Sequence, residues 1–322
     1  MKNQTTITSV LLMRLSDDQK IIYVLFTLFL LIYLMTFLTN FLIILLLLTC
    51  THLHTSMYFF LGNLAFLDMS YSSVTAPRIL FDLSTQDWSI SLPECIMQIF
   101  FVIYSGTSEV FLLSSMSYDR YIAICHPLRY SQVMSWGMCT QMVSLVWSSA
   151  LLAPIIFTLC LKRLTFCPNF IQNIFCDLSH LLKLSCTDIS INLLVFFIVG
   201  GFFGTVTFVA TFYPYVRIFS TVLKIRTSDR KRKAFSTCTS HLTVVFIFYA
   251  STTFIYYVPN TNNLLTLNQV VTVLYTLITP LLNRLIYSLR SKDLKAAQQK
   301  VLHIHVVMSV RLTSSMLSID TG

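Results

Sequence analysis

Charge is what this sequence has least of. Asp, Glu, Lys and Arg together make up 11% of its 322 residues, while 55% are apolar; an average soluble domain carries roughly 25% charged residues. With a mean hydropathy of +0.73, the composition excludes an ordinary water-soluble fold. Missing too is any sustained alternation of apolar and polar residues, which excludes a transmembrane β-barrel, whose strands face lipid and lumen by turns. The N-terminus lacks the short apolar core and small-residue cleavage site of a signal peptide, so the first span is expected to act as the targeting signal. No nucleophile, base and orienting group come together, which argues against an enzyme. No repeat with paired broken helices marks a transporter.

What is present is seven long apolar stretches, at about 22–49, 57–80, 96–120, 138–160, 192–223, 236–259 and 268–289. Each has the ~20 residues needed to cross roughly 30 Å of hydrocarbon, so the expected fold is an all-α membrane protein, a seven-transmembrane helix bundle. Lys224, Arg226, Arg230, Lys231, Arg232 and Lys233 crowd the loop between the fifth and sixth spans, and Arg290, Lys292, Lys295 and Lys300 follow the seventh. Asp82, Asp87, Glu94, Asp177 and Asp188 fall on the opposite side. Cations mark the cytoplasmic face, which predicts an extracellular N-terminal segment over 1–21, the bundle over 22–290 and a cytoplasmic tail over 291–322. Topology and contact with anionic lipid account for the net charge of +9; nucleic acid needs no part in it.

Nine cysteines divide by place. Cys50, Cys125, Cys139, Cys160 and Cys238 fall in spans or near the cytosol and read as reduced, packed thiols. Cys95, Cys167, Cys176 and Cys186 lie outside, an even set in an oxidising compartment that points to two bridges with three pairings open. Three of them sit in the outer loop 161–191, long for a connection without a clear element of its own, and loops of that kind are functional or disordered. A stapled loop there suits a flap over a ligand vestibule, or simple protection of the helix ends. Asn3 opens a glycosylation sequon on the same side. His52 and His54 read as solvated surface.

Inside the spans an ionisable residue is costly unless paired or wet, and two acids stand at mid-membrane, Asp68 and Glu109. Facing one interior, they would repel if both were ionised; a sodium ion between them or a shared proton resolves this. At the cytoplasmic end of the third span comes Asp119-Arg120-Tyr121, with Pro127 stopping the helix soon after.

Five segments taken together carry a resemblance: L-H-T-S-M-Y-F-F-L-G-N-L-A-F-L-D at 53–68, M-S-Y-D-R-Y-I-A-I-C-H-P-L-R-Y at 116–130, F-C-D at 175–177, K-A-F-S-T-C-T-S-H-L at 233–242 and P-L-L-N-R-L-I-Y-S-L-R at 280–290. In order and spacing they resemble the olfactory receptors, a subfamily of rhodopsin-like G-protein-coupled receptors, over about residues 20–297. The tail after Lys300 matches nothing in that pattern. The resemblance implies a plasma-membrane receptor for small volatile odorants, acting through the stimulatory G protein of olfactory neurons to raise cyclic AMP, with no cofactor beyond a bound sodium ion at Asp68 and Glu109. It implies bridges Cys95–Cys176 and Cys167–Cys186. Arg120 would leave Asp119 on activation, with Tyr121, Tyr215, Asn283 and Tyr287 in the same machinery.

The ligand is expected in the outer half of the bundle. Ile103, Gly106 and Thr107 share one helix face at i, i+3 and i+4, and the family pocket uses similar positions; Phe202, Phe203, Tyr249, Thr252, Tyr256 and Thr276 would complete it. No cation or carboxylate lies in this set, which favours an apolar ligand held by shape and one or two hydroxyl groups. A receptor for lipid or another small molecule is the nearest rival. The sequence also departs from the family pattern: Arg284 stands where the proline of N-P-x-x-Y is expected, Thr39 replaces a glycine, Ser56 a proline and Pro214 a serine. Proline in the seventh span frees a carbonyl and permits a bend. Arginine restores the amide and adds a charge that either snorkels to the interface or pairs with Asp68, and the latter would impair or bias signalling.

Overall fold

The computed structural model describes residues 8–167, 170, 171, 173–224, 227–257, 271–290, 294 and 296. Asn3 and the tail after Lys300 lie outside them, as do the side chains of Arg284 and Tyr287. The chain begins with strand β1 (Ser9–Leu12), then α1 (Gln19–Thr49) and α2 (Ser56–Thr85). Strand β2 (Ser89–Ser91) runs straight into α3 (Leu92–Cys125), and the short α4 (Tyr130–Val133) precedes α5 (Trp136–Ser149) and α6 (Leu152–Leu161). Strand β3 (Phe170–Ile171) and α7 (Leu178–Leu182) lead to α8 (Ser190–Leu223) and α9 (Ser228–Tyr257). A π-turn (Leu274–Ile278) then feeds α10 (Thr279–Arg290).

Local chemistry sets the ends. Asp18 caps α1, its carboxylate accepting from Lys20 N at 2.9 Å. Ser91 caps α3 in a reciprocal box with Glu94, which satisfies two otherwise orphaned amides. α1 is apolar all round, and the residues it buries, Ile22, Phe29, Thr36, Asn40, Ile43 and Leu46, follow one helical stripe. Its other faces are left to lipid. The fourth expected span is two helices: the amide hydrogen that Ala150's carbonyl would need is missing at Pro154, and the chain steps between α5 and α6 there. Among the described residues, five helical stretches are long and apolar enough to cross a membrane. α2 is long enough but carries Asp68, Arg78 and Asp82, and the last stretch is a shorter apolar helix over Val271–Asn283.

On the face proposed as extracellular, β1 pairs antiparallel with β2 (Val10 opposite Ile90) and parallel with β3 (Leu12 opposite Ile171). The Cys95 and Cys176 sulfurs are 2.05 Å apart, and Cys167 is bonded to Cys186. Around them Val10, Leu12, Ile90, Ile99, Phe157, Ile171, Leu178 and Leu181 form a core separate from that of the bundle. This corrects the reading of 161–191 as a loop without elements: it holds β3, α7 and a bridge between Phe166 and Ser185. The N-terminal segment is likewise more than a polar lead-in, because β1 buries Val10 and Leu12. Strands of two to four residues leave too short a pattern for sequence periodicity to register.

Candidate functional site

A cavity of about 480 Å³ lies beneath this cap, between α3, α6, α8, α9 and the π-turn. Its size is typical of a small-molecule site. Ile103, Gly106, Thr107, Phe203, Tyr249, Thr252 and Tyr256 line it. Two expected residues do not. Phe202 is 63% exposed on the outer face of α8, since neighbours in a helix point about 100° apart and Phe203 takes the inward direction. Thr276 is buried away from the wall and Tyr275 lines the cavity instead; the π-turn inserts a residue and shifts the helical phase.

Sequence reasoning missed Tyr71, Leu178, Phe196, Phe208 and the glycines Gly200, Gly201 and Gly204, all in the wall. Tyr71 lies three residues after Asp68 on the same helix face, and the glycines recur at helical spacing, the available signals. Leu178 forms the ceiling, and Asp177 beside it accepts a hydrogen bond from the Tyr256 hydroxyl at 3.3 Å. A carboxylate therefore stands one hydrogen bond behind the wall. Burial pushes the Asp177 pKa up, but hydrogen bonds from His180 and Ser179 outweigh it and leave the carboxyl below its ordinary value. At the floor, Tyr249 meets Thr211 at 3.5 Å, and Thr211 meets Ser114 of α3 at 2.8 Å.

One level deeper, Asp68 and Glu109 are both buried. Asn283 donates to Asp68 Oδ1 at 3.3 Å and to Glu109 Oε1 at 3.0 Å, so one amide spans both acids. The oxygen donors suit a hard cation such as sodium, which would need the amide to turn its oxygen inward. Among the described residues no group of three or more His, Cys, Asp or Glu gathers as a metal site.

At the end of the bundle proposed as cytoplasmic, Arg120 forms an ion pair with Asp119, its Nε donating to Oδ2 at 3.0 Å. The other oxygen of Asp119 accepts from Ser56 Oγ at 2.6 Å and Tyr130 Oη at 3.0 Å. Ser56, which the sequence marks only as a departure from the family, thus begins α2 as a strut to the third helix. Tyr121 meets His126 Nε2 at 3.1 Å, and the Tyr215 hydroxyl hydrogen-bonds His241 Nδ1 between α8 and α9. His54 is not simply solvated: its Nε2 meets the Leu47 carbonyl at 2.9 Å and its ring meets Trp136 edge-on.

A family model described as olfactory receptor matches residues 29–305. Olfactory receptor 1G1 of Gorilla gorilla gorilla is 42% identical over 309 residues, 96% of this chain and 99% of its own length. Olfactory receptor 1 of Rattus norvegicus is 44% identical over 301 residues, 93% of this chain and 96% of its own. Olfactory receptor 1E16 of Mus musculus is 43% identical over the same shares.

Proposed function

Because this chain belongs to the olfactory receptor family of seven-helix, multi-pass plasma-membrane G-protein-coupled receptors, we propose that it binds a small, mostly apolar volatile in the cavity beneath the cap. Binding then activates a stimulatory, olfactory-type G protein and raises cyclic AMP. The cavity carries this reading, its wall apolar apart from a few hydroxyl groups. Thr252 donates its hydroxyl proton to the Phe248 carbonyl at 2.8 Å and Tyr256 donates to Asp177. Both therefore offer lone pairs to the cavity, which favours a ligand with one hydrogen-bond donor, such as an alcohol.

The N-terminus is outside and the basic ends face the cytoplasm in this reading. Ligand binding acts by population shift, in proportion to its preference for the active arrangement and no further. The floor chain Tyr249–Thr211–Ser114 joins the three helices that must rearrange, and Arg120, released from Asp119, meets the G protein. A sodium ion would be held by Asp68 and Glu109, where it would balance paired negative charge. The test is cyclic AMP in cells carrying the chain and Thr252→Val, with a broad odorant panel at matched surface level. The variant should lose at least tenfold in potency toward alcohols and little toward hydrocarbons; equal potency for both classes would sink the assignment.

A further inference from the structure

The cavity is closed on one side and open on another. Among the described residues its outer side is sealed: Leu178, its ceiling, packs in the same core as Val10, Leu12 and Ile171 under the Cys95–Cys176 bridge. Along α8 the wall is incomplete. The residues that α8 buries fully begin only at Thr207; above that point Val195, Phe196, Val199 and Phe203 touch the cap core but stay partly exposed. Gly204, Thr205 and Phe208 of α8 and Thr253 of α9 line the cavity and are exposed as well. A residue that lines a cavity and also faces outward marks a gap in the wall. A Cβ placed at Gly200, Gly201 or Gly204 would meet no atom within 4 Å, so nothing fills the opening. From Ser190 to Gly204 the helix descends about 21 Å at 1.5 Å per residue, a depth within the ~30 Å hydrocarbon layer. A gap at that depth would open on lipid.

We propose that ligands reach the cavity from the bilayer, through the opening between α8 and α9 rimmed by Gly204 and Thr253. The entrance then selects ahead of the pocket: molecules that partition into lipid arrive concentrated at its rim, while charged or strongly hydrated ones are refused before any contact with Thr252 or Tyr256. The inference rests on the reading of the cavity as the ligand site.

A thiol reporter inside the cavity tests it without a known odorant. Gly106→Cys adds a side chain whose nearest neighbour is the Tyr275 hydroxyl, 3.9 Å from the new Cβ. The full-length receptor in lipid nanodiscs is treated with neutral N-hexylmaleimide or with charged 2-sulfonatoethyl methanethiosulfonate, and labelling at position 106 is timed by peptide mass spectrometry. The neutral reagent should react at least tenfold faster than the charged one at matched intrinsic thiol reactivity. Gly204→Leu, whose Cβ would meet no atom within 4 Å, should slow it tenfold or more, and Gly204→Ala less than twofold. Thr253→Trp serves as an independent plug should Gly204→Leu fold poorly. Unchanged labelling in a folded plug variant, or equal rates for the two reagents, overturns the lipid entrance and leaves the cavity intact as a site. No labelling by either reagent overturns the entrance and the cavity reading together.

Discussion

Ser56 illustrates how much one hydroxyl can hold. It donates to Asp119 at the junction of α2 and α3, and a hydrogen bond to a charged group is worth about 1.5–3 kcal/mol. Losing it from the resting state alone would shift the equilibrium toward the active state by roughly tenfold or more. Ser56→Ala is accordingly expected to raise basal cyclic AMP at matched surface level, and Ser56→Thr to leave it near the parent value; no rise in Ser56→Ala would show that the strut does not bias the switch. Asp177 makes a second prediction at this scale. Its pKa is lowered by folding, so its contribution is present above the unfolded carboxyl pKa of about 3.9 and is lost as pH falls through the folded value. Amide-exchange protection in the cap, corrected for the intrinsic rate at each pH, should therefore fall below about pH 4, and Asp177→Asn should flatten that dependence.

At the scale of elements, the legible parts were those with long repeats of one signal. α1, α3 and α8 are helices of 31, 34 and 34 residues, and an apolar run of that length in lipid must satisfy its backbone internally. The two bridges of the cap were expected, but its sheet was not legible, because β1, β2 and β3 are short and their partners lie far apart in the chain. The π-turn left no compositional trace, and it exchanged Thr276 for Tyr275 at the cavity. Seven of the nine residues expected at the cavity line it: helical spacing puts Ile103, Gly106 and Thr107 on one face, and the family resemblance supplies the other four. Sequence reasoning overlooked Gly204 and Phe208 because α8 is apolar on nearly every side, and no pattern says which of its faces turns to the cavity. The hairpin closed by Cys167 and Cys186 spans 19 residues, and a loop near that size gains about 3 kcal/mol from its bridge. Cys167→Ser is expected to lower the thermal midpoint of the purified receptor by several degrees, measured against a Cys160→Ser control that removes only a free thiol.

In the proposed mechanism the whole molecule moves to signal, and Arg284 would bear on that movement. It lies in α10, next to Asn283, whose amide joins Asp68 and Glu109. Cyclic AMP responses of the chain and of Arg284→Pro, compared at matched surface level over one odorant panel, decide between a snorkelling residue and a brake. A response restored only by proline is expected from the impairment reading; equal responses would retire it.

The cap also constrains how the receptor is made. β1 is among the first segments to leave the ribosome, yet one of its partners, β3, is synthesised after four helical spans. The two ends of that pairing are joined by a very long loop, whose closure is slow. Until the chain has been made past Ile171, β1 has no complete sheet to enter, and Val10 and Leu12 have only part of the core that covers them. Nascent receptors would thus pass through a stage with an apolar N-terminal strand open to chaperones, and closure of the cap would be the last visible sign that the outer half has been assembled in order.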